Sequence, residues 1–315
     1  MAIRTASSLN TFMGCPKKYE YSYERLYRSV KPIPAFLIGS VVHKGLEAYW
    51  LRKSWEEAKA MMEEEKKREC PEYWETDAGK LESVRCEAYI KGYYSKWLAR
   101  DLAAYDVVGV EHEFVVGQNA GKLDVLLRRK EDNQLVIMEH KTAGAWSGAD
   151  EPSSPYWLKL VMDTQVVWYT HNISKEFKED PIFIYDVVVK TSGKPKKSRS
   201  RQRKTETAMG FAQRKAGEDE SLSEYRERLS KAYCTEPERF VRREIVLTKQ
   251  DREIKLRELD AVIKTIKPPY LRNTTSCVRA GGACAFLEVC IGADTLSGQN
   301  FTAKQKAHSE LTLIG

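Results

Sequence analysis

Two carboxylates and one amine sit inside a pair of short apolar runs. The stretch GKLDVLLRRKEDNQLVIMEHKTA, residues 121–143, carries Asp124, Glu139 and Lys141 among residues suited to a core. In a strand, side chains at i and i+2 share a face, so Glu139 and Lys141 point the same way and His140 the other. The polar KEDNQ segment reads as the turn of a hairpin. If the hairpin pairs symmetrically about that turn, Arg128 faces Leu135 and Asp124 faces Glu139. The two carboxylates then have Cβ atoms about 5 Å apart, where like charges repel. A divalent cation held by both turns the conflict into a binding site. Lys141 beside it could orient an attacking water and offset charge on a scissile phosphate. The plainer alternative is a hairpin at a sheet edge with an ordinary Glu–Lys pair.

The elements that must hold these groups alternate between helix and strand. One helix contains GSVVHKGLEAYWL, residues 39–51, with His43 among Val42, Leu46 and Trp50. A second starts at Ser54, where Glu57 completes a capping box, and runs to about Glu69. A third covers about Lys80 to Arg100, with apolar residues at Val84, Ala88, Tyr94 and Leu98. The pattern then switches to period two at Val108, Val110, Phe114 and Val116, followed by strands at about 121–129 and 135–142. A helix over roughly Tyr156–His171 puts Gln165 in register with Leu158, Val161 and Met162, and Tyr169 one turn later. Such a pair could position substrate or the lysine, or be a buried amide satisfied by backbone. A buried strand at 181–190, a helix near 221–233, a strand near 239–247 and a helix from the Thr248/Asp251 capping box to about Ile266 follow. Strands mixed with helices argue an α/β sheet sandwiched by helices.

Bulk composition is globular: 315 residues with 42% hydrophobic and 10% aromatic side chains. No apolar run approaches the roughly 20 residues that span a bilayer. The opening MAIRTASSLN lacks the apolar stretch of a secretory signal, so a reducing, cytoplasmic setting without membrane is expected. The net charge of +7 is local: KTSGKPKKSRSRQRK, residues 190–204, holds eight Lys/Arg and no acid, and removing those eight leaves 44 basic against 45 acidic residues. This tract reads as a basic arm able to follow a phosphate backbone, or as a solvated loop. Seven cysteines, an odd number, argue against a disulfide framework. Three of them, Cys277, Cys284 and Cys290, lie in CVRAGGACAFLEVC, where the double glycine allows a sharp bend; Cys15 stands alone before Pro16. Converging thiolates could bind zinc, and buried free thiols are the plainer alternative.

G-x-x-D, fourteen residues, then E-H-K resembles the Asp…Glu-x-Lys core of the PD-(D/E)XK nuclease superfamily, with Gly121 where many members have proline. The chain is more specifically similar to RecB-like exonucleases and to the iron–sulfur nucleases of CRISPR adaptation. SSLNTFMGCPKKYEY (7–21) resembles their opening motif, GSVVHKGLE their metal-ligating histidine helix, and QVVWY their Q-x-x-x-Y motif. The resemblance covers about residues 5–292. It implies a restriction-endonuclease-like α/β fold with a helical insertion at about 40–105, a catalytic core at about 106–190 and a C-terminal tail at 293–315. It implies Mg²⁺ or Mn²⁺ held by His43, Asp124, Glu139 and the carbonyl of His140, with Lys141, Gln165 and Tyr169 in the catalytic set. It also implies a [4Fe–4S] cluster on Cys15, Cys277, Cys284 and Cys290 that staples the two ends of the chain, although the six-residue gap after Cys277 is two in several relatives; Zn²⁺ is the alternative. Cys70, Cys86 and Cys234 are left as structural. The implied activity is hydrolysis of DNA, as single strands or duplex ends, by an exonuclease of recombination, repair or CRISPR-type processing, in company with the proteins of those systems. A catalytically inactive DNA-binding module on the same fold is the alternative.

Overall fold

Period-two runs and capping boxes translate into a layered molecule, seen in a computed structural model that describes residues 3–144, 147–149, 151, 154–197, 219–279 and 282–313. The chain opens with helix α1 (Ala6–Gly14), which Thr5 and Ser8 cap reciprocally, and the single turn α2 (Pro16–Tyr19). The short strand β1 (Tyr27–Ser29) leads into α3 (Pro34–Trp50), α4 (Trp55–Arg68), α5 (Pro71–Glu75) and the long α6 (Asp77–Ala104). The Ser54–Glu57 box caps α4 as its sequence predicts.

The central sheet follows: β2 (Tyr105–Val116), β3 (Asn119–Arg129) and β4 (Leu135–Ala143), then α7 (Pro155–Val161), α8 (Thr164–Phe177) and β5 (Ile182–Val189). Helix α9 (Leu222–Thr235), strand β6 (Phe240–Ile245) and helix α10 (Lys249–Thr265) complete it. The chain ends with β7 (Val278–Arg279), β8 (Gly282–Ala283), α11 (Leu287–Cys290) and β9 (Phe301–Ala303). The five strands lie in the order β2-β3-β4-β5-β6. All neighbours are antiparallel except β4 and β5, which are parallel and joined through α7 and α8. This is the mixed, helix-flanked α/β sheet of a restriction-endonuclease-like fold.

The sheet buries both faces. Val125, Leu127, Val136, Met138 and Val188 pack under α3, α6 and α9, whereas Leu126, Leu135, Ile137, Tyr185 and Val187 pack under α1, α8 and α10. Full burial of each large aliphatic side chain contributes about 1.5–3 kcal/mol, so both helical layers are fixed to the strands that carry the candidate site.

One expected helix differs from the sequence reading. The helix expected over 156–171 is two helices, because Asp163 caps α8 by accepting the Gln165 N–H at 2.9 Å. Leu158 and Met162, expected to share a buried stripe with Gln165, are 65% and 69% exposed. The tail beyond 292 packs on the body: β9 pairs with β1, Phe301 stacks on Phe286, and Glu113 accepts the N–H groups of Thr312 and Leu313. Of the basic arm, 198–204 lie outside the described residues, and Lys197 pairs with Asp219 at 3.0 Å.

Helices α6 and α9 meet at Gly92, where an added Cβ would lie 2.7 Å from both Cβ and the carbonyl oxygen of Tyr233. Gly92→Ala should therefore lose about 1–3 kcal/mol in urea unfolding by overpacking, against a helix-propensity gain of about 1 kcal/mol. Equal or higher stability would show that α9 yields freely.

Candidate active site

The β3–β4 ladder keeps the register read from the turn, with Arg128 opposite Leu135 and Val125 opposite Met138. Continuing it puts Asp124 opposite Glu139, and there the backbone ladder stops. Side chains take over. Glu139 Oε1 accepts the Asp124 N–H at 3.2 Å, and Asp124 Oδ2 accepts the His140 N–H at 2.7 Å. Each carboxylate thus stands in for a missing carbonyl of the opposite strand, and the strands fork around them.

The fork admits groups from both helical layers. Helix α3 buries Val42, Leu46 and Trp50 and brings His43 Nδ1 to 3.2 Å from Asp124 Oδ1. From the other layer, Gln165 Oε1 accepts from Lys141 Nζ at 2.6 Å, and Gln165 Nε2 donates to the Tyr169 hydroxyl at 3.2 Å. Lys141 Nζ lies 3.9 Å from Glu139 Oε2 and 5.5 Å from the centre of the Tyr185 ring. His43, Asp124, Glu139, Lys141, Gln165 and Tyr169 thus form one connected set.

Burial sets the electrostatics. Desolvation and then the charge of Asp124 push the Glu139 carboxyl well above the ordinary glutamate range, and Lys141 offsets only part of this. Asp124 goes the other way: desolvation opposes its charge, but His43, with His140 and Lys141, holds it below the usual aspartate range. Desolvation works against a charged His43 too, and Asp124 more than reverses that. One acid is stabilised as a carboxylate and its neighbour is forced toward the neutral acid. Two carboxyl oxygens and an imidazole suit a hard or borderline divalent cation, whose charge removes the conflict at Glu139. Among the described residues, however, no three or more His, Cys, Asp or Glu side chains stand in a metal-holding arrangement. Here His43 is hydrogen-bonded to Asp124, and both carboxylates accept backbone N–H groups.

His140 offers the site its main chain alone. Its ring turns into the opposite layer, where Trp50 Nε1 donates to Nε2 at 2.9 Å and Nδ1 faces Asp186 Oδ2 at 3.5 Å. Burial would raise Asp186, but Arg242, His140 and Tyr93 hold its carboxyl down to about 2. Arg242 also forks onto Asp101, whose other donor is the Tyr49 hydroxyl at 2.6 Å. No sequence pattern pointed to Asp186, Arg242 or Asp101, because strands and a helix far apart in the chain supply them. Glu111 was also missed. It lies across the β2–β3 register from Asp124 with a left-handed φ of 50°, and its carboxylate pairs with Lys122 at 2.6 Å.

The cysteine ends also approach one another. Asn273 donates its backbone N–H to Cys15 Sγ at 3.4 Å, and its side chain and the Ser276 hydroxyl both donate to the Gly14 carbonyl. Cys284 N–H donates to the Cys277 carbonyl at 2.7 Å. The Cys290 thiol is pushed up by burial and then by Cys284, Cys15 and Cys277. All seven cysteines are free thiols.

The profile of the PD-(D/E)XK nuclease superfamily matches residues 4–291. The chain belongs to that superfamily. Its members are generally phosphodiester-cleaving nucleases that use divalent metals such as Mg²⁺. No curated protein matches the sequence. A crystal structure from Eubacterium rectale, provisionally named an exonuclease, is similar at 11% identity over 94% of this chain and 90% of that one, with a TM-score of 0.48. Among the described residues, no helix of this PD-(D/E)XK protein is long and apolar enough to cross a membrane.

Because the fold raises the Glu139 carboxyl, its contribution to stability is present below about pH 4.5 and is lost as pH rises through the folded-state value. Glu139→Gln escapes that loss. In chelator, its stability relative to wild type should climb above about pH 4.5, by about 1.4 kcal/mol per pH unit until the buried acid ionises, in urea unfolding at stepped pH. A flat difference would mean that Glu139 ionises in the fold at no cost.

Proposed function

We propose that this chain is a Mg²⁺- or Mn²⁺-dependent DNA exonuclease acting on single strands or frayed duplex ends. The observation that carries this reading is the convergence of Asp124, Glu139 and Lys141 at the strand fork, with His43 bonded to Asp124. His43, Asp124, Glu139 and the carbonyl of His140 would hold the cation. When bound, it would supply a water of lowered pKa and neutralise charge developing on the phosphate.

The chain's own groups then divide the remaining work. Gln165 accepts from Lys141 and is itself fixed by its donation to Tyr169, so the lysine's direction is set before substrate arrives. An ammonium held this way can hydrogen-bond the attacking water or a phosphate oxygen without reorganising. His43 keeps Asp124 ionised and ready as a ligand. A role in recombination, repair or CRISPR-type processing follows the family likeness of the opening motif, the histidine helix and the Q-x-x-x-Y motif.

A [4Fe–4S] cluster on Cys15, Cys277, Cys284 and Cys290 rests on the family likeness and on the approach of the Cys15 segment to Asn273 and Ser276, four residues and one residue before Cys277. It would act as a staple, and its loss would reach the chemistry only through the fold. Zn²⁺ is the alternative occupant.

End-labelled single-stranded DNA with Mn²⁺ tests the activity. Asp124→Ala and Lys141→Ala should each lower cleavage by about 10²-fold or more. Equal cleavage by wild type and Asp124→Ala would leave the chain a DNA-binding module. Anaerobic purification tests the staple: a brown protein that loses its colour and melts earlier as Cys284→Ser is expected, and a colourless zinc-containing protein would reverse the choice of metal.

A further inference from the structure

Well away from the carboxylates, β1, the start of α3, the α4–α5 junction and β9 enclose an open groove of about 650 Å³. Its lining holds five basic side chains against two acids, Glu69 and Glu72, together with aromatic rings. Arg68 and Lys31 are occupied, by Glu65 at 2.7 Å and Glu288 at 3.0 Å. Arg28 and Lys18 are exposed and make no ion pair with the described residues. Lys304 sits 4.9 Å above the Tyr23 ring; burial lowers its pKa, Glu310 opposes that, and Arg28 adds a smaller push in the same direction as burial.

The groove also holds an unusual apolar group. Phe36, in the first turn of α3, is 73% exposed. A phenyl ring left this open forfeits most of its roughly 1.5–3 kcal/mol of burial. Phe36, Gly39 and His43 are spaced i, i+3 and i+7, so they share one face of α3, and about 10 Å of helix separates Phe36 from His43. Gly39, between them, borders open space: a Cβ there would meet nothing within 4 Å. The face of α3 between Phe36 and His43 therefore has no side chain at Gly39.

We propose that this groove is a track for single-stranded nucleic acid, in which a base stacks on Phe36 and phosphates meet Arg28 and Lys18 before the strand crosses Gly39 to His43. The inference deepens the nuclease reading and rests on it. A positive groove with an open aromatic face is the chemistry that recognises an unpaired strand. A duplex keeps its bases stacked on one another and has no free face to offer the ring.

The test is fluorescence anisotropy with labelled oligothymidylate and with a hairpin duplex, in chelator so that no cleavage occurs. Phe36→Ala should weaken single-strand binding about tenfold. The double variant Lys18→Ala/Arg28→Ala should flatten the plot of log affinity against log salt by about 1.4, the value for two phosphate contacts on a single strand. Gly39→Leu puts a better helix former in that open space, so its melting temperature should not fall while single-strand affinity does. Unchanged affinity in Phe36→Ala, an unchanged salt slope in the double variant, or equal losses for the duplex would each overturn the track. Wild-type hydrolysis of the p-nitrophenyl ester of thymidine monophosphate with Mn²⁺ checks the nuclease reading separately, because this substrate is too small to reach the groove. Failure there condemns the chemistry, and the anisotropy still decides the groove.

Discussion

The site rests on a repulsion. Asp124 and Glu139 occupy facing positions at the point where β3 and β4 stop pairing, Glu139 buried and Asp124 half-buried. Two like charges so placed cannot both ionise freely, and the surroundings resolve the conflict by treating them unequally. His43 and the His140 N–H stabilise charge on Asp124, while Glu139 takes the Asp124 N–H and stands with Lys141 at the edge of ion-pair range. The same contacts leave Glu139 the unmatched partner, its carboxyl raised by burial and by Asp124.

A second buried network lies behind the fork, against the His140 ring. Arg242 enters from β6 and binds Asp186 on β5 and Asp101 on α6, with the Trp97 ring 3.9 Å from its guanidinium carbon. Removing one member of such a group would leave a desolvated charge, which is far costlier than never having built it. Through His140 the network reaches the one residue whose backbone N–H serves Asp124. Neighbouring residues of β4 therefore work on opposite faces: Glu139 and Lys141 toward α8, His140 toward α3 and α6.

Much of the architecture was legible because short-range rules govern it. The Ser54 and Thr248 boxes mark helix starts, period-two runs mark strands, and the KEDNQ turn sets the β3–β4 register. The helix expected over 156–171 is broken by the Asp163 cap, which apolar spacing does not reveal, and the exposed Leu158 and Met162 show that spacing alone does not tell a core face from a solvent face. Asp124, Glu139 and Lys141 stood out as charges among core residues. Gln165 and Tyr169 stood out by helical register with a buried amide as the alternative, and His43 only by likeness to a family, since a lone histidine on an apolar helix carries no chemistry of its own.

The chain's order of residues thus determined which groups share a strand face, where the helices begin, and that a pair of acids would meet across one hairpin. These follow from the two-residue period of a strand and from caps whose partners lie three residues away. Tertiary structure alone decided that α3 and α8 reach the same fork from opposite layers, that the His140 ring leaves the site, and that Arg242 closes a network with Asp101 from 141 residues away. Those contacts depend on how whole layers pack, and packing is settled by shape and burial summed over the entire core.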